Sequence, residues 1–551
     1  MVSPYRLLQL LIAVNLQLAV FATNQTRYNP ALPGWHSDPS CVSVPDMDNQ
    51  IFCTASTFMR TPGLPIYATR DLVNWRLLSH ALNREEQCPD FKDSLPQTDG
   101  IWAATIRYHK GTFYIATVYK NGITGKSTGL IFSTDDIYDD AAWTQPIRYD
   151  AEYIDPDLFW DVDDEAYITS AGVVIQHVDL QTGDLTEPVN IWNGSTGVFL
   201  EGPHLYRKDG YYYLLVAEGG SGVNHSVTIA RSKTLTGPYQ GYENNPILTN
   251  RDTNQYMQNI GHGDLFKDSH GQWWAAALAW RSGVEAETYP MGREMVITPV
   301  TWEEGGWPII DPVRGIQAAW SLPCSTDIPG NGGLTHEPDT VDFESGSQLP
   351  MHFSWWRWPV LDRYRISPPG HEGTLELTPS TFSVHAGATN LTAGFELDPL
   401  TLIMRLQTDT LFRFSVDVEF SPARVSEEVG VTAFLNQVQN INLGVVNMVG
   451  ANSSMLSPHL RLITSGLGSL VPTLAPAPVV KPVPASWFGS PIRLFISAEN
   501  STHYAFSAAS SKTPWQIESM GYAPASLLSG GMGDFTGEPL YLLFVGVARA
   551  Q

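Results

Sequence analysis

Short apolar strands, polar turns and aromatic-rich strands follow one another through the first three hundred residues, and the order repeats. Four segments share this grammar: residues 106–114 with a turn at Gly111, 158–169 around Asp163-Asp164, 205–215 around Asp209-Gly210, and 265–275 around Gly271. A fifth, less regular copy runs over residues 41–54 around Asp48-Asn49. The turn positions Asn49, Gly111, Asp164, Gly210 and Gly271 stand 62, 53, 46 and 61 residues apart. Second hairpins also resemble one another, at residues 68–72, 132–136 and 230–235. Five repeats of roughly 50 residues, each with several short strands, are what β-propeller blades require. A lone sheet cannot bury both of its faces, so the expectation is five sheets packed radially over residues 23–322. An array of β-sandwiches is the plainer reading of the same strands.

After Trp320 the texture changes. Residues 323–338 hold Pro323, Pro329, Gly330, Asn331, Gly332, Gly333 and Pro338, a linker composition. Beyond it the alternation is clean: in residues 412–420 every even position is apolar, which predicts a strand with one buried face and one wet face. Residues 374–377 and 493–496 read as further strands, and the five prolines of residues 472–485 as an irregular surface loop. Residues 339–551 are therefore expected to form a lectin-like β-sandwich, giving an all-β chain.

The N-terminus has a different character. Arg6 supplies a positive start, residues 7–20 are apolar apart from Gln9, Asn15 and Gln17, and Val20-Phe21-Ala22 offers a small-residue cleavage site. Residues 1–22 thus read as a signal peptide, too short and interrupted for a membrane span, and the mature chain is expected outside the cell. Six sequons, at Asn24, Asn193, Asn224, Asn390, Asn452 and Asn500, agree with that compartment. The four cysteines, Cys41, Cys53, Cys88 and Cys324, form no zinc-type cluster. Cys41 and Cys53 flank a turn on neighbouring strands, a placement compatible with a disulfide. The formal net charge of −24 over 551 residues repels phosphate backbones, so nucleic acid is not expected as a partner, and no stretch after residue 22 reaches the length a membrane helix needs. Aromatic residues make up 11% of the chain, which suits a flat, neutral ligand.

The informative constellation is a recurrence of acid and proline. Asp38-Pro39 opens the first repeat, Asp155-Pro156 the third, and Glu201-Gly202-Pro203 the fourth. Proline donates no ladder hydrogen bond and tolerates the first residue of a strand, so each acid sits at a strand's mouth. In a propeller the innermost strands converge on the axis, and three such acids would face one another across one pit. Ile154 and Leu200 beside them favour partial burial and raised carboxyl pKa values. Three convergent carboxylates suit glycoside hydrolysis, in which one group protonates a leaving oxygen while another activates water or attacks carbon. A single Asp-Pro pair would be an ordinary turn dipeptide.

These residues carry a resemblance. Tyr28-Asn29-Pro30, Gly34-Trp35-His36-Ser37-Asp38-Pro39-Ser40, Pro62-Gly63-Leu64-Pro65-Ile66-Tyr67, Arg70-Asp71-Leu72-Val73-Asn74-Trp75, Ile154-Asp155-Pro156-Asp157-Leu158-Phe159, Glu201-Gly202-Pro203-His204-Leu205-Tyr206 and Gly292-Arg293-Glu294 together resemble glycoside hydrolase family 43. The likeness is to its β-xylosidase and α-L-arabinofuranosidase branch with a C-terminal, concanavalin A-like sandwich. It implies a five-bladed propeller, inverting chemistry and no required cofactor. The substrates it implies are xylan, arabinoxylan or arabinan oligosaccharides. By this resemblance Asp38 is the general base, Glu201 the general acid, and Asp155 the acid that orients and tunes Glu201. Arg293 would bind hydroxyls of the reacting sugar, Phe58 and Trp102 would line its pocket, and Phe535 would reach toward it from the sandwich. His262 matches a central histidine that in relatives approaches a cation such as calcium, or water, on the axis; a satisfied core histidine is the alternative. Ala104, Gly263 and Met295 depart from the family's usual proline, alanine and threonine, which bears on specificity.

Three other readings compete. Invertase-like β-fructosidases share the architecture but use an Asn-Asp-Pro-Asn opening, an Arg-Asp-Pro and a Glu-Cys, where this chain has Ser37-Asp38-Pro39-Ser40, Ile154-Asp155-Pro156 and Glu201-Gly202. A non-catalytic carbohydrate-binding protein would have no need to keep all three acids. An endo-acting arabinanase would do without the sandwich.

Overall fold

The computed structural model describes residues 25–545 except 95–98, 123, 283–290, 321, 323–324, 385–398, 437–438, 450–454, 466–474 and 529–540. The expected leader, Phe535, Cys324 and the sequons at Asn24, Asn390 and Asn452 lie outside the described residues. Five four-stranded antiparallel sheets follow one another along the chain. Their first strands are Ser37–Val44, Gly100–His109, Asp157–Trp160, Glu201–Lys208 and Met257–Lys267. Each of these pairs with its successor across one of the turns read from the sequence, at Asp48-Asn49, Lys110-Gly111, Asp163-Asp164, Asp209-Gly210 and Gly271. Each first strand packs against the next in sequence order, and the fifth packs back on the first.

Aromatic and β-branched side chains fill the spaces between sheets, because a sheet apolar on both faces must be covered on both. Trp35, Trp75, Trp143 and Trp274 are among the largest fully buried side chains. The disulfide joins Cys41 and Cys53, directly opposite one another on neighbouring strands with Cα atoms 4.2 Å apart. Cys88 is free and buried. No helix of the described residues is long and apolar enough to cross a membrane.

Residues after 340 supply seven strands of an eight-stranded sheet, Arg60–Thr61 being the eighth, and this sheet lies over a four-stranded one. The strand Phe412–Val418 shows the expected alternation, its even positions half-buried and its odd ones exposed. Between the two sheets lies a second core built from residues such as Leu443, Leu462, Ile496 and Phe506. Two expectations need correction. Val479–Pro482, inside the presumed proline-rich loop, is an edge strand paired with residues 459–462. An edge strand leaves half of its N–H groups unpaired, so it tolerates proline.

The presumed linker is also not a loose tether where it is described. Ile328 is buried in the shared core, Thr335 N–H donates to Trp75 O at 2.9 Å, and a Cβ on Gly332 would stand 2.1 Å from Leu77 O. Glycine is there because the backbones touch. A strand pairing joins the two halves where Arg60–Thr61, two residues past Phe58, pairs with Trp355 and Trp356 at the end of the eight-stranded sheet. One hydrophobic cluster crosses this junction, from Trp35, Phe58 and Trp102 to Trp356, Met404 and Phe434.

Candidate active site

The five first strands share a backbone device. Asp38, Ala103, Asp155, Gly202 and His262 adopt φ of 52°, 42°, 58°, 51° and 44°. The residues that follow are Pro39, Ala104, Pro156, Pro203 and Gly263. In four of the strands the ladder slips at this place, between Ser37 and Ser40, Trp102 and Thr105, Glu201 and His204, and Gly261 and Asp264. A residue before proline is barred from the right-handed helical region, and left-handed backbone outside glycine costs on the order of 1–3 kcal/mol. Such strain survives only where surrounding structure holds it, and here it aims side chains from several sheets at one place.

The device corrects the register of the acids. Asp38 and Asp155 occupy equivalent positions, but Gly202 holds that position in the fourth sheet, and Glu201 stands one residue earlier. His262 explains the glycine: a Cβ on Gly202 would lie 2.9 Å from the imidazole Nε2.

Asp38 is 7% exposed. Its Oδ2 accepts from Ser56 Oγ at 2.7 Å, and its Oδ1 lies 3.4 Å from His262 Nδ1 and 3.7 Å from Arg293 Nη1. Burial alone would raise its pKa, but His262, Arg293, Ser56 and Ser37 outweigh burial and hold it below the ordinary value. Asp155 is 6% exposed and accepts from Gly202 N–H at 3.0 Å, which ties it to the residue beside Glu201. Burial and the charge of Asp38 push its pKa well above the carboxylate range. Glu201 is pushed up in the same direction, by burial and then by Asp155. Two acids of the site are thus held toward the protonated form and one toward the ionised form. That division is what acid–base catalysis needs.

Arg293 donates to Ser37 Oγ at 3.2 Å, and its backbone O accepts from His36 N–H at 2.8 Å, so it is pinned to the first sheet. Its guanidinium stands 6.0 Å from the ring of Trp35, which packs edge-on to Phe58 at 5.3 Å. Phe58 meets Trp102 at 5.8 Å, and Lys120 Nζ lies 4.6 Å over the Trp102 ring. The acids, Arg293, Phe58 and Trp102 are therefore one connected site, with Trp35 as a link the sequence did not suggest. Met295 is a fully buried core residue in the cluster of Leu32, Cys41 and Tyr67, and so bears on packing rather than on the pocket.

A second polar layer lies two residues beyond the left-handed positions. Arg107 binds Asp157 Oδ1 and Asp264 Oδ2, each at 2.8 Å. His204 Nδ1 approaches Asp157 Oδ2 at 3.2 Å, Ser40 Oγ donates to Asp264 Oδ2 at 2.6 Å, and Tyr206 Oη donates to Asp264 Oδ1 at 2.7 Å. Both aspartates are fully buried. Burial would raise the Asp264 pKa, but Arg107 foremost holds it far below the carboxylate range. This layer bears on the expected cation. Among the described residues no three His, Cys, Asp or Glu side chains are arranged to hold a metal ion. His262 faces Asp38 and Gly202, and the charge that meets Asp157 and Asp264 is that of Arg107. Arg107→Met, which strands two buried carboxylates, is expected to lower unfolding stability by about 3–5 kcal/mol, measured by denaturant titration.

Comparison with known proteins identifies the chain. Residues 27–308 match the family described as glycosyl hydrolases family 43, and residues 340–540 match the β-xylosidase C-terminal concanavalin A-like domain. The chain belongs to glycoside hydrolase family 43. This family 43 enzyme is a glycosidase. It is 31% identical over 460 residues to a non-reducing end α-L-arabinofuranosidase of Bacteroides ovatus, covering 82% of each chain. It is 29% identical over 433 residues to a β-xylosidase of Bacillus subtilis, covering 74% of this chain and 77% of the relative. A crystal structure of a family 43 protein from Bacillus licheniformis superposes with a TM-score of 0.80 at 26% identity, covering 96% of this chain and 97% of the other. In this family 43 hydrolase the acids were legible from Asp-Pro and Glu-Gly-Pro. Ser37, Ser56, Arg107, Asp157, His204 and Asp264 were not assigned roles from the sequence. The signal that could have found three of them is their constant place two residues past the acid or its equivalent.

Proposed function

We propose that the chain is a secreted, inverting, exo-acting glycosidase that removes terminal β-D-xylose or α-L-arabinofuranose from xylan, arabinoxylan or arabinan oligosaccharides. The observation that carries this reading is that carboxyls of one site stand in unlike surroundings: Asp38 beside His262, Arg293 and Ser56, which lower its pKa, and Glu201 where burial and Asp155 raise its own. Glu201 gives its proton to the departing glycosidic oxygen. Asp38 takes a proton from the water that attacks the anomeric carbon from the opposite face. Asp155 accepts from Gly202 N–H, places Glu201 and keeps its pKa high. Arg293 holds sugar hydroxyls, and the C–H faces of the sugar pack on Phe58 and Trp102.

Relatives named arabinofuranosidase, xylosidase/arabinosidase and β-xylosidase support a pentose as the substrate. The closed order of contacts among the five sheets supports a five-bladed propeller around this site. The pairing of Arg60–Thr61 with the sandwich, beside Phe58, supports a closed pocket and exo action. The apolar leader and the Cys41–Cys53 disulfide support export. Activity on nitrophenyl β-xyloside, nitrophenyl α-L-arabinofuranoside, arabinoxylan and debranched arabinan tests the reading; release of internal oligomers from arabinan without free pentose would refute it.

Asp155→Asn tests the tuning. The general acid must be protonated, so the basic limb of kcat/KM follows the Glu201 pKa. Asp155 and Glu201 repel each other as they ionise, so removing the Asp155 carboxyl lowers the Glu201 pKa, and the limb is expected to move to lower pH as activity falls. A limb that stays in place would make Asp155 a turn residue only.

A further inference from the structure

A cavity of about 300 Å³ lies away from the carboxylates, between the first sheet and the sandwich. That volume is at the small end of the range for small-molecule sites. Arg60 lines it and is only 6% exposed, yet neither its Nε nor its Nη2 has a hydrogen-bond partner among the described residues. A buried guanidinium with no counter-charge is costly to keep in a fold. Of the two acidic side chains in the lining, Asp339 is already engaged by Arg405 and by His352, the latter at 3.0 Å. Glu337 lies exposed at the rim.

Two further buried groups on the cavity wall lack partners. His36 Nδ1 stands 3.1 Å from Gly34 O. A carbonyl only accepts, so Nδ1 carries the proton and the partnerless Nε2 is a free acceptor. Burial, and then the charge of Arg60, lowers the His36 pKa to about 3, so the ring stays neutral. Across the cavity, Ser354 Oγ on the sandwich side is buried without a partner and can donate or accept. The cavity thus offers a planar cationic fork, an acceptor nitrogen and a hydroxyl. Tyr67, edge-on to His36 at 5.0 Å, adds an aromatic surface.

We propose that this cavity is a second ligand site, for a small hydroxy acid such as a sugar acid. The carboxylate pairs with the Arg60 fork, which matches its geometry. One hydroxyl donates to His36 Nε2 and another meets Ser354 Oγ. A simple oxyanion with no O–H, such as sulfate, would neutralise Arg60 but leave the His36 acceptor unpaired. Because Arg60 is joined through its backbone to Trp356 of the sandwich, the ligand would clamp the two halves and raise the unfolding temperature by mass action. The proposal does not rest on the glycosidase reading.

Calorimetric titration of the full chain with sodium D-glucuronate, with saturating D-xylose present to fill the sugar site, tests it. One glucuronate per chain is expected to bind, and Arg60→Met is expected to weaken it at least about tenfold. Ser354→Ala is expected to weaken it less, with kcat/KM on nitrophenyl glycosides unchanged in that variant. Failure of the unmodified chain to bind glucuronate overturns the proposal whether or not the Arg60 variant folds. Equal affinity in Arg60→Met, or displacement of glucuronate by xylose, overturns it too. Sodium phosphate binding as tightly as glucuronate would overturn the assignment to a hydroxy acid.

Discussion

Glu201→Ala is expected to lower kcat/KM on xylo-oligosaccharides by roughly 10²–10⁴-fold while sparing nitrophenyl glycosides much more. The half-buried Glu201 carboxyl is held protonated by its surroundings and by Asp155, the state needed to hand a proton to a poor leaving group. A sugar alkoxide cannot depart without that proton, whereas nitrophenolate is stable enough to leave alone. The ratio of the two losses is the diagnostic quantity. Equal losses on both substrates would remove Glu201 from the role of acid and assign it to substrate binding.

Asp38→Asn carries the opposite signature. Water must be activated whatever the leaving group, so natural and activated substrates are expected to lose roughly 10²–10⁴-fold alike. Asparagine keeps an acceptor for Ser56 Oγ, and the folded structure is expected to survive, as thermal unfolding would show. The same residue decides the stereochemistry. A base needs room for water, a carboxyl separation of roughly 6.5–9.5 Å, whereas a nucleophile would stand about 5–5.5 Å from the acid. Proton NMR of the unmodified enzyme's first product is expected to show inverted anomeric configuration. Retention would make Asp38 a nucleophile and refute the mechanism proposed here.

Different parts of this site were legible to different degrees. Asp38 and Asp155 stood out because a proline after an acid marks a strand mouth. Glu201 was found by the same signal, but its register was not: the glycine between acid and proline looks like a minor variation until His262, on another sheet, is seen to require it. Arg293 and the aromatic pair were reached through resemblance, and the structure adds Trp35 as the contact joining them. What faces His262 is Asp38 and Gly202, and no local pattern discloses where the neighbouring carboxylates find their counter-charge. Arg107, which reads in the chain as an ordinary polar strand residue, turns its charge inward onto Asp157 and Asp264.

By itself, the sequence determined most of the first-half strands, their turns and their repetition, and placed Cys41 and Cys53 where a disulfide was possible, because each depends on residues within one hairpin. Alternation, turn chemistry and proline's missing donor act over a few residues and leave their mark there. Only the tertiary structure decided the polar layer, in which Ser40 and Asp264 meet across 224 residues of chain. It also decided the packing of residues 325–335 on the first sheet and the cavity around Arg60. Those features arise where distant backbones approach, and what a side chain does there follows from burial and neighbouring charge, which the chain acquires only when its sheets close on one another.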